Sequence, residues 1–493
     1  MRWLIGFVLV LAAVGAVRLV GCGETTGTGG TAGDGGSGGI GGTGGDGGSG
    51  GTVAQCEDNV CRCTEAGIRA AIAEGGAEPY TFECGDGMTV VTQAQIVIDN
   101  DVTLDGGGML TIDGNDAHRV LFVPNGITAE LRGITVTGGV AQPPIPSHDP
   151  SYEFEEGGGI YSEGTLTLND CTVSGNYAED FGGGISTSGV LTLMNSIVSK
   201  NTAGYGGGIW GFGTLVMTNS KVVDNRADYG GGIILLGRIT MTRSAVSDNT
   251  AAIVGGIRQS WDEGSLIMVD STVSGNTAGD SAGGITSDGA LTLTNSTVSH
   301  NTSTVGNGGG IEHDGVLTLT NSTVSNNAAV GGGGIANYGV ARLTSSTISG
   351  NVATGVIGGS AILNQLAGRV ESSMATLIDG DCSPSAVRLT SRGYNIESPG
   401  DTCGFDQLTD RPETTAAELN LGELADNGGP TKTHALETEP EASFAIDRIP
   451  ADACLDAEGM PLTTDQRGLP RPVAILGPEP KCDVGSVEVQ ASN

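Results

Sequence analysis

From residue 157 onward, apolar and polar positions recur in one unit, clearest over residues 182 to 201: Gly-Gly-Gly-Ile, a short gap, Leu-Thr-Leu, a polar turn, then Ser-x-Val-Ser-x-Asn. Ile160, Ile185, Ile209, Ile233, Ile257, Ile285, Ile311, Ile335 and Ile362 follow one another at spacings of 25, 24, 24, 24, 28, 26, 24 and 27 residues. Inside each unit the alternation has period two, as in Leu291, Leu293 and Val298 with Thr292 and Thr294 between, which predicts strands. One such unit cannot bury its own apolar face, so it must stack on copies of itself. Three short strands per unit, parted by Gly- and Asn-rich corners without a regular two-residue turn, should coil rather than form hairpins. The expected fold is all-β: a right-handed, single-stranded parallel β-helix filled by columns of Ile, Leu, Leu and Val, its hand set by crossover chirality. Fainter alternation at Val102-Leu104, Leu110-Ile112 and Leu131-Val136 extends the repeat region to residues 100–369.

A second register closes the units: Asn176, Asn201, Asn225, Asn249, Asn276, Asn301, Asn327 and Asn351. Stacked carboxamides both donate and accept, so this column is expected to be a structural ladder in a partly buried corner.

The chain opens with the pattern of an export signal over residues 1–21, followed by Leu19-Val20-Gly21-Cys22, which resembles a bacterial lipobox and makes Cys22 the expected lipid attachment point. Arg18 departs from that pattern and keeps an uncleaved anchor as the alternative. The residue after the cysteine is Gly23 rather than an acid, which in the lipoproteins it resembles implies the outer membrane. Residues 22–52, mostly Gly with Thr, Ser and Asp, predict a flexible tether reaching about 30 Å. In residues 53–99, Ile68, Ala71 and Ile72 share one helical face and should plug the first rung, while residues 370–493 lose the repeat, gain Pro, charge and Cys, and should cap the other end.

Export makes the ten cysteines candidates for disulfides. Cys22 is assigned to lipid, and Cys171 falls in register with Ser196 and Ser220, where it should be a buried free thiol. Separation suggests Cys382 with Cys403 and Cys454 with Cys482. Cys56, Cys61, Cys63 and Cys84 remain in an open order, with a zinc cluster at Cys56, Cys61 and Cys63 as the alternative.

The Gly-Gly-Gly-Ile and Val-Ser-x-Asn elements resemble the paired repeats of polymorphic outer-membrane proteins over about residues 100 to 365. That resemblance implies a β-helix displayed at the cell surface, often adhesive. The carboxy-terminal barrel that exports such proteins has no counterpart here, since nothing after residue 370 alternates long enough. The series Asp426-Asn-Gly-Gly-Pro-Thr431, Thr433-His434-Ala435-Leu436, Ala445-Ile446-Asp447, Asp465-Gln-Arg-Gly-Leu-Pro-Arg-Pro472 and Cys482-Asp-Val-Gly-Ser-Val-Glu488 is similar to the choice-of-anchor Q domain of bacterial surface β-helix proteins. In that family the anchor varies between members; the lipobox would be the one used here.

Twenty-two basic against 56 acidic residues give a net charge of −34, which repels nucleic acid and anionic lipid headgroups. The expected partners are the membrane through the lipid, and a carbohydrate or surface protein; no cofactor or metal is expected. Scarce aromatics crowd one interval: Tyr152, Phe154, Tyr161, Tyr177, Phe181, Tyr205, Trp210, Phe212, Tyr229 and Trp261. Phe181, Tyr205 and Tyr229 each precede a repeat isoleucine by four residues, and with Trp210 they form a candidate sugar-binding platform, against the alternative of a corner-stiffening stack. A carbohydrate lyase or hydrolase would need carboxylates and a cation. Lys200, Lys221, Asp224, Arg226, Arg243 and Asp248 on neighbouring coils are the candidates, although a solvated ladder would choose similar residues. Polygalacturonase signatures are absent, and His300 and His313 stand alone as expected surface groups. A non-enzymatic adhesive or structural lipoprotein on a diderm cell surface is the favoured reading, with no catalytic residue assigned.

Overall fold

The computed structural model describes residues 54–493 apart from 86, 143–154, 357, 366–367, 384–388 and 492–493, and the side chains of 261, 262 and 372. The expectations for Cys22, the export signal, the tether, Tyr152 and Phe154, and for the Trp261 side chain, lie outside the described residues. Each repeat isoleucine pairs in parallel with the next, Ile160 with Ile185, Ile185 with Ile209 and Ile209 with Ile233, and the series continues to Ile362. The result is a parallel β-solenoid of about 12 turns.

Three main sheets run along it. The first holds Ile160–Ser162, Ile185–Thr187 and their equivalents; the second holds Thr165–Asn169, Val190–Met194, Ala290–Thr294, Val316–Thr320 and Val340–Thr344; the third holds Thr172–Ser174, Ile197–Ser199 and Lys221–Val223 onward. In Ile209–Thr218, Ile233–Thr242 and Ile257–Val269 one strand runs through both first and second sheets. Sequence reasoning anticipated three strands per turn. The structure adds a short fourth, such as Thr202–Tyr205 or Arg226–Tyr229, stacked into a nine-stranded sheet of its own. These strands run for two to four residues, too short to show an alternation.

The expected Ile, Leu, Leu and Val columns fill the interior: Ile185, Leu191, Leu193 and Val198 are each fully buried, as are their equivalents on the turns above and below. The asparagines fill the corner after the third sheet. From Asn176 to Asn327, each donates its backbone N–H and its Nδ2 to the Oδ1 of the next, at 2.9–3.0 Å. The other Nδ2 hydrogen goes to a valine carbonyl one turn back, as from Asn201 to Val173 at 3.0 Å. The triple glycine has its reason here. A Cβ on Gly184 would fall 2.8 Å from Asn201 Nδ2 and 2.7 Å from the Gly208 carbonyl, so the backbone can pass the amide column only without a side chain.

A parallel ladder that the sequence did not suggest runs through the serine slot. Ser196 N–H donates to Ser220 Oγ, Ser220 to Ser244 and Ser244 to Ser271, each at 3.1 Å. Cys171 ends this column, buried and free; its N–H donates to Ser196 Oγ at 3.0 Å, and burial pushes its thiol up to about 11. All four disulfides form: Cys56–Cys61, Cys63–Cys84, Cys382–Cys403 and Cys454–Cys482. The zinc alternative fails, because two of its three cysteines bond to each other and the third bonds to Cys84.

Helix Glu65–Glu74 is capped by Thr64 and buries Ile68, Ala71 and Ile72 in the same core as the first turns. At the other end parallel pairing continues to Ile396–Ser398, and Leu389, Cys403 and Phe405 join that core. The rest of the carboxy-terminal part behaves differently from a terminal plug. It folds back along the flank of the solenoid and covers the outward hydroxyls of the third sheet. Gln466 accepts from Thr323 Oγ1 at 2.7 Å and donates to Thr297 Oγ1 at 2.9 Å, His434 Nε2 lies 2.8 Å from Ser325 Oγ, and Ser486 N–H donates to Thr347 Oγ1 at 3.0 Å. Beneath it Arg471 is fully buried, bonded to Glu488 Oε2 at 2.8 Å, to Asn321 Oδ1 at 3.2 Å and to three carbonyls. Of the polar motifs in residues 426–488, Thr431, His434, Gln466, Arg471 and Ser486 hold this clamp to the solenoid, while Asp447, Asp465 and Asp483 bond within it.

Two outcomes follow. Asn249→Ala strands two donors of Asn225 and should cost about 2 to 4 kcal/mol by denaturant unfolding. Arg471→Ala leaves Glu488 buried and unpaired and should cost about 3 to 5 kcal/mol, with limited proteolysis cutting first within residues 420–490.

Candidate functional site

Side chains at alternate positions of the first-sheet strands point outward, and parallel register stacks them into columns. The residue after the repeat isoleucine runs Tyr161, Ser186, Trp210, Ile234, Arg258, Thr286, Glu312 down the solenoid. This face divides into an apolar half and a polar half.

In the apolar half, Phe181 stacks on Trp210 with centroids 4.4 Å apart, Tyr205 stacks on Tyr229 at 4.9 Å, Phe181 leans on Tyr205 at 5.3 Å, and Phe212 meets Trp210 edge-on at 4.9 Å. Ile234 and Leu236 complete a hydrophobic cluster outside the main core. The predicted register holds, but the predicted exposure does not extend to every member. Phe181 and Trp210 keep 6% and 7% of their surface, because the rings pack on each other and on the aliphatic pair. Tyr205, Phe212 and Tyr229 are half-buried and present the accessible ring surface. Above the cluster, Arg119 lies 5.1 Å over the Tyr161 ring, and Glu156 accepts from Ser186 Oγ at 2.8 Å; burial raises the Glu156 carboxyl above its usual range.

The polar half was not anticipated. Arg258 bonds Asp288 at 2.9 Å and Ser260 Oγ at 2.9 Å; Ser281 Oγ donates to Glu312 Oε2 at 2.8 Å; Asn307 Nδ2 donates to the Tyr338 hydroxyl at 3.2 Å. Burial pushes the Glu312 carboxyl up to about 7, against the Ser281 bond and the Arg258 charge, with Asp314 and Asp280 adding to the rise. Glu312 thus exchanges a proton near neutrality. The signal for it was its place: the one acid in an outward column that from Tyr161 to Thr286 holds Tyr, Ser, Trp, Ile, Arg and Thr.

The charged patch proposed from sequence is spread over two corners and two sheets. Lys200, Asp224 and Asp248 occupy equivalent left-handed corners of successive turns after the third sheet, Arg226 begins a fourth-sheet strand, Lys221 lies in the third sheet, and Arg243 sits at the preceding corner. Lys221 and Arg243 line a shallow cavity of about 280 Å³ with Asp270 and Pro430, and Arg243 approaches Asp270 to 4.0 Å. His300 takes an exposed corner, whereas His313 is 1% exposed and points into the solenoid, in register between Ser287 and Asn337. It reads as surface in the sequence because its neighbours in the column are polar, yet those polar residues are themselves interior. Burial pushes its pKa down to about 4. Among the described residues no three His, Cys, Asp or Glu side chains gather as a metal site, and no helix is long and apolar enough to cross a membrane.

No family model, curated protein or solved structure matches this chain.

The two buried groups give opposite pH limbs. Glu312 has a folded pKa of about 7 above its ordinary 4.5, so its contribution is full below that ordinary value and is lost as pH rises through about 7. His313 has a folded pKa of about 4 below its ordinary 6.5, so its contribution is full above 6.5 and is lost as pH falls through about 4. Glu312→Gln should reduce the fall in melting temperature between about pH 5 and about pH 8 while leaving the acid limb in place, as read by calorimetry. Asp483, raised by burial and by Glu488, maintains part of the alkaline fall.

Proposed function

We propose that this chain is a lipoprotein anchored through Cys22 in the outer membrane of a diderm bacterium, displaying a right-handed β-solenoid as a non-enzymatic adhesive or structural element. The observation that carries the reading is the aromatic cluster where the fourth-sheet strands ending in Tyr205 and Tyr229 meet the outside of the first sheet. Tyr205 and Tyr229 stack 12° from parallel beside Phe212, an amphipathic surface suited to the apolar face of a sugar ring. The helix at Glu65–Glu74 and the segment around Phe405 then serve to keep the terminal rungs from pairing with other chains. The repeat similarity to polymorphic outer-membrane proteins and the motif similarity to the choice-of-anchor Q domain point the same way, and the glycine tether would hold the solenoid clear of the headgroups.

A second reading, a carbohydrate-active enzyme, draws on Glu312. A carboxyl that protonates near neutrality, on the same face as the aromatic cluster and near an Arg258–Asp288 pair, has the equipment of a general acid.

Glycan-array binding run beside sugar-release assays on the same polysaccharides separates the two. The adhesive reading expects retention without turnover, a loss of at least about tenfold in affinity for the double variant Tyr205→Ala, Tyr229→Ala, and an unchanged response for Glu312→Gln. Sugar release that Glu312→Gln abolishes would replace it with the enzyme.

A further inference from the structure

The second sheet presents a broad face free of carboxylates. On its strands from Thr165–Asn169 to Val340–Thr344, the three outward positions of each strand contain no Asp or Glu, and Arg238 and Arg342 are the charged residues. The third sheet, from Thr172–Ser174 to Thr347–Ser349, shares this at its two outward positions per strand but is narrower and covered by the clamp at Thr297, Thr323 and Thr347. The outward residues of the second sheet are otherwise mainly Thr and Val, flat and β-branched, and the face also exposes larger apolar groups: Val190 at 39%, Met194 at 37%, Ile267 at 40% and Val316 at 37%.

Charge returns at every border. Glu130 pairs with Arg132 on the strand before Thr165–Asn169, and Glu371 pairs with Arg342 and Arg369 at the far end. Asp170 and Asp270 follow the strands on one side, and Asp288 and Asp314 precede them on the other. Eight strands at about 4.8 Å by five residues at about 3.3 Å give a patch of about 38 by 16 Å. Two such patches face to face bury about 1,200 Å², the lower bound of a specific interface.

We propose that this face docks a second copy of the chain, sheet against sheet, to form a homodimer. Two bodies of charge −34 repel, and this face, with three outward positions per strand against two on the partly covered third sheet, is the broader surface on which they can meet without juxtaposing carboxylates. Acidic corners such as Asp170, Asp288 and Asp314 then stand beside an apolar and hydroxylic centre, with the clamp along the border at Asn295 and Asn321. Sheets packed face to face in this way lie about 10 Å apart, within reach of interdigitating Thr, Val and Ile side chains. Self-repulsion outside the contact makes association strengthen as salt screens it.

The test is sedimentation velocity of the full chain in non-ionic detergent, at about 0.15 M and about 1 M salt, on the wild type, Ile267→Glu and Ile267→Lys. Ile267 faces solvent in the single chain, so folding is checked by circular dichroism, with Val190→Glu and Val190→Lys as the second pair. The expected result is a dimer that tightens with salt and that both charge signs weaken by at least about tenfold, since either charge would be buried unpaired. A monomer at both salts, a dimer that survives both substitutions, or an association that Lys strengthens and Glu weakens would overturn the proposal; the last would mark unspecific charge effects.

Discussion

The carboxamide column at the corner after the third sheet is the constraint around which the solenoid is organised. From Asn201 to Asn351 each Oδ1 accepts two N–H groups from the asparagine one turn back, and Asn176 Oδ1 accepts from the Gly139 N–H. Each Nδ2 from Asn176 to Asn327 supplies the next link, so the amides of the column are satisfied in a corner that water does not reach. That geometry brings the backbone at the start of the same repeat unit so near the amide that a side chain there would collide. Gly184, Gly208 and Gly232 stand against Asn201, Asn225 and Asn249 for this reason. The asparagine and glycine motifs of the repeat are two halves of one contact, and the repeat length follows from the need to return to it on every turn. Once register is set at this corner, the isoleucine, leucine and valine columns fall into line and exclude water from the interior.

Such a ladder leaves the outer surface free to vary, because outward side chains take no part in holding the rungs. The first sheet, with the ends of the fourth-sheet strands beside it, carries an aromatic cluster and then a buried carboxyl with its hydroxyl and guanidinium neighbours. The second sheet carries an acid-free plane. Part of the third sheet is covered by the carboxy-terminal clamp, whose Gln466, His434 and Ser486 reach the Thr and Ser hydroxyls beneath. Side chains along one strand thus divide cleanly between a uniform interior and specialised faces.

Much of this was legible in the sequence, because a feature repeated on every turn announces itself by period. The isoleucine spacing predicted the parallel stacking, the asparagine spacing predicted the ladder, and the Phe181, Tyr205 and Tyr229 register predicted their mutual contact. What stayed hidden depends on burial or on partners far away along the chain. Trp210 and Phe181 pattern as an accessible strip, but ring-on-ring packing takes most of their surface. His313 patterns as a surface residue because it replaces Ser or Asn in a column that is polar yet interior. The docking of residues 431–488 onto Thr297, Thr323 and Thr347 spans more than a hundred residues of chain and has no period to reveal it.

The most direct test of the amide column is hydrogen exchange of the asparagine side chains, followed by NMR on asparagine-labelled protein. Nδ2 protons of Asn201, Asn225 and Asn249 should exchange only through global unfolding, as slowly as the strand amides of Leu193 and Val222. Exchange of those side chains at the rate of an exposed asparagine, with the strand amides still protected, would contradict the account.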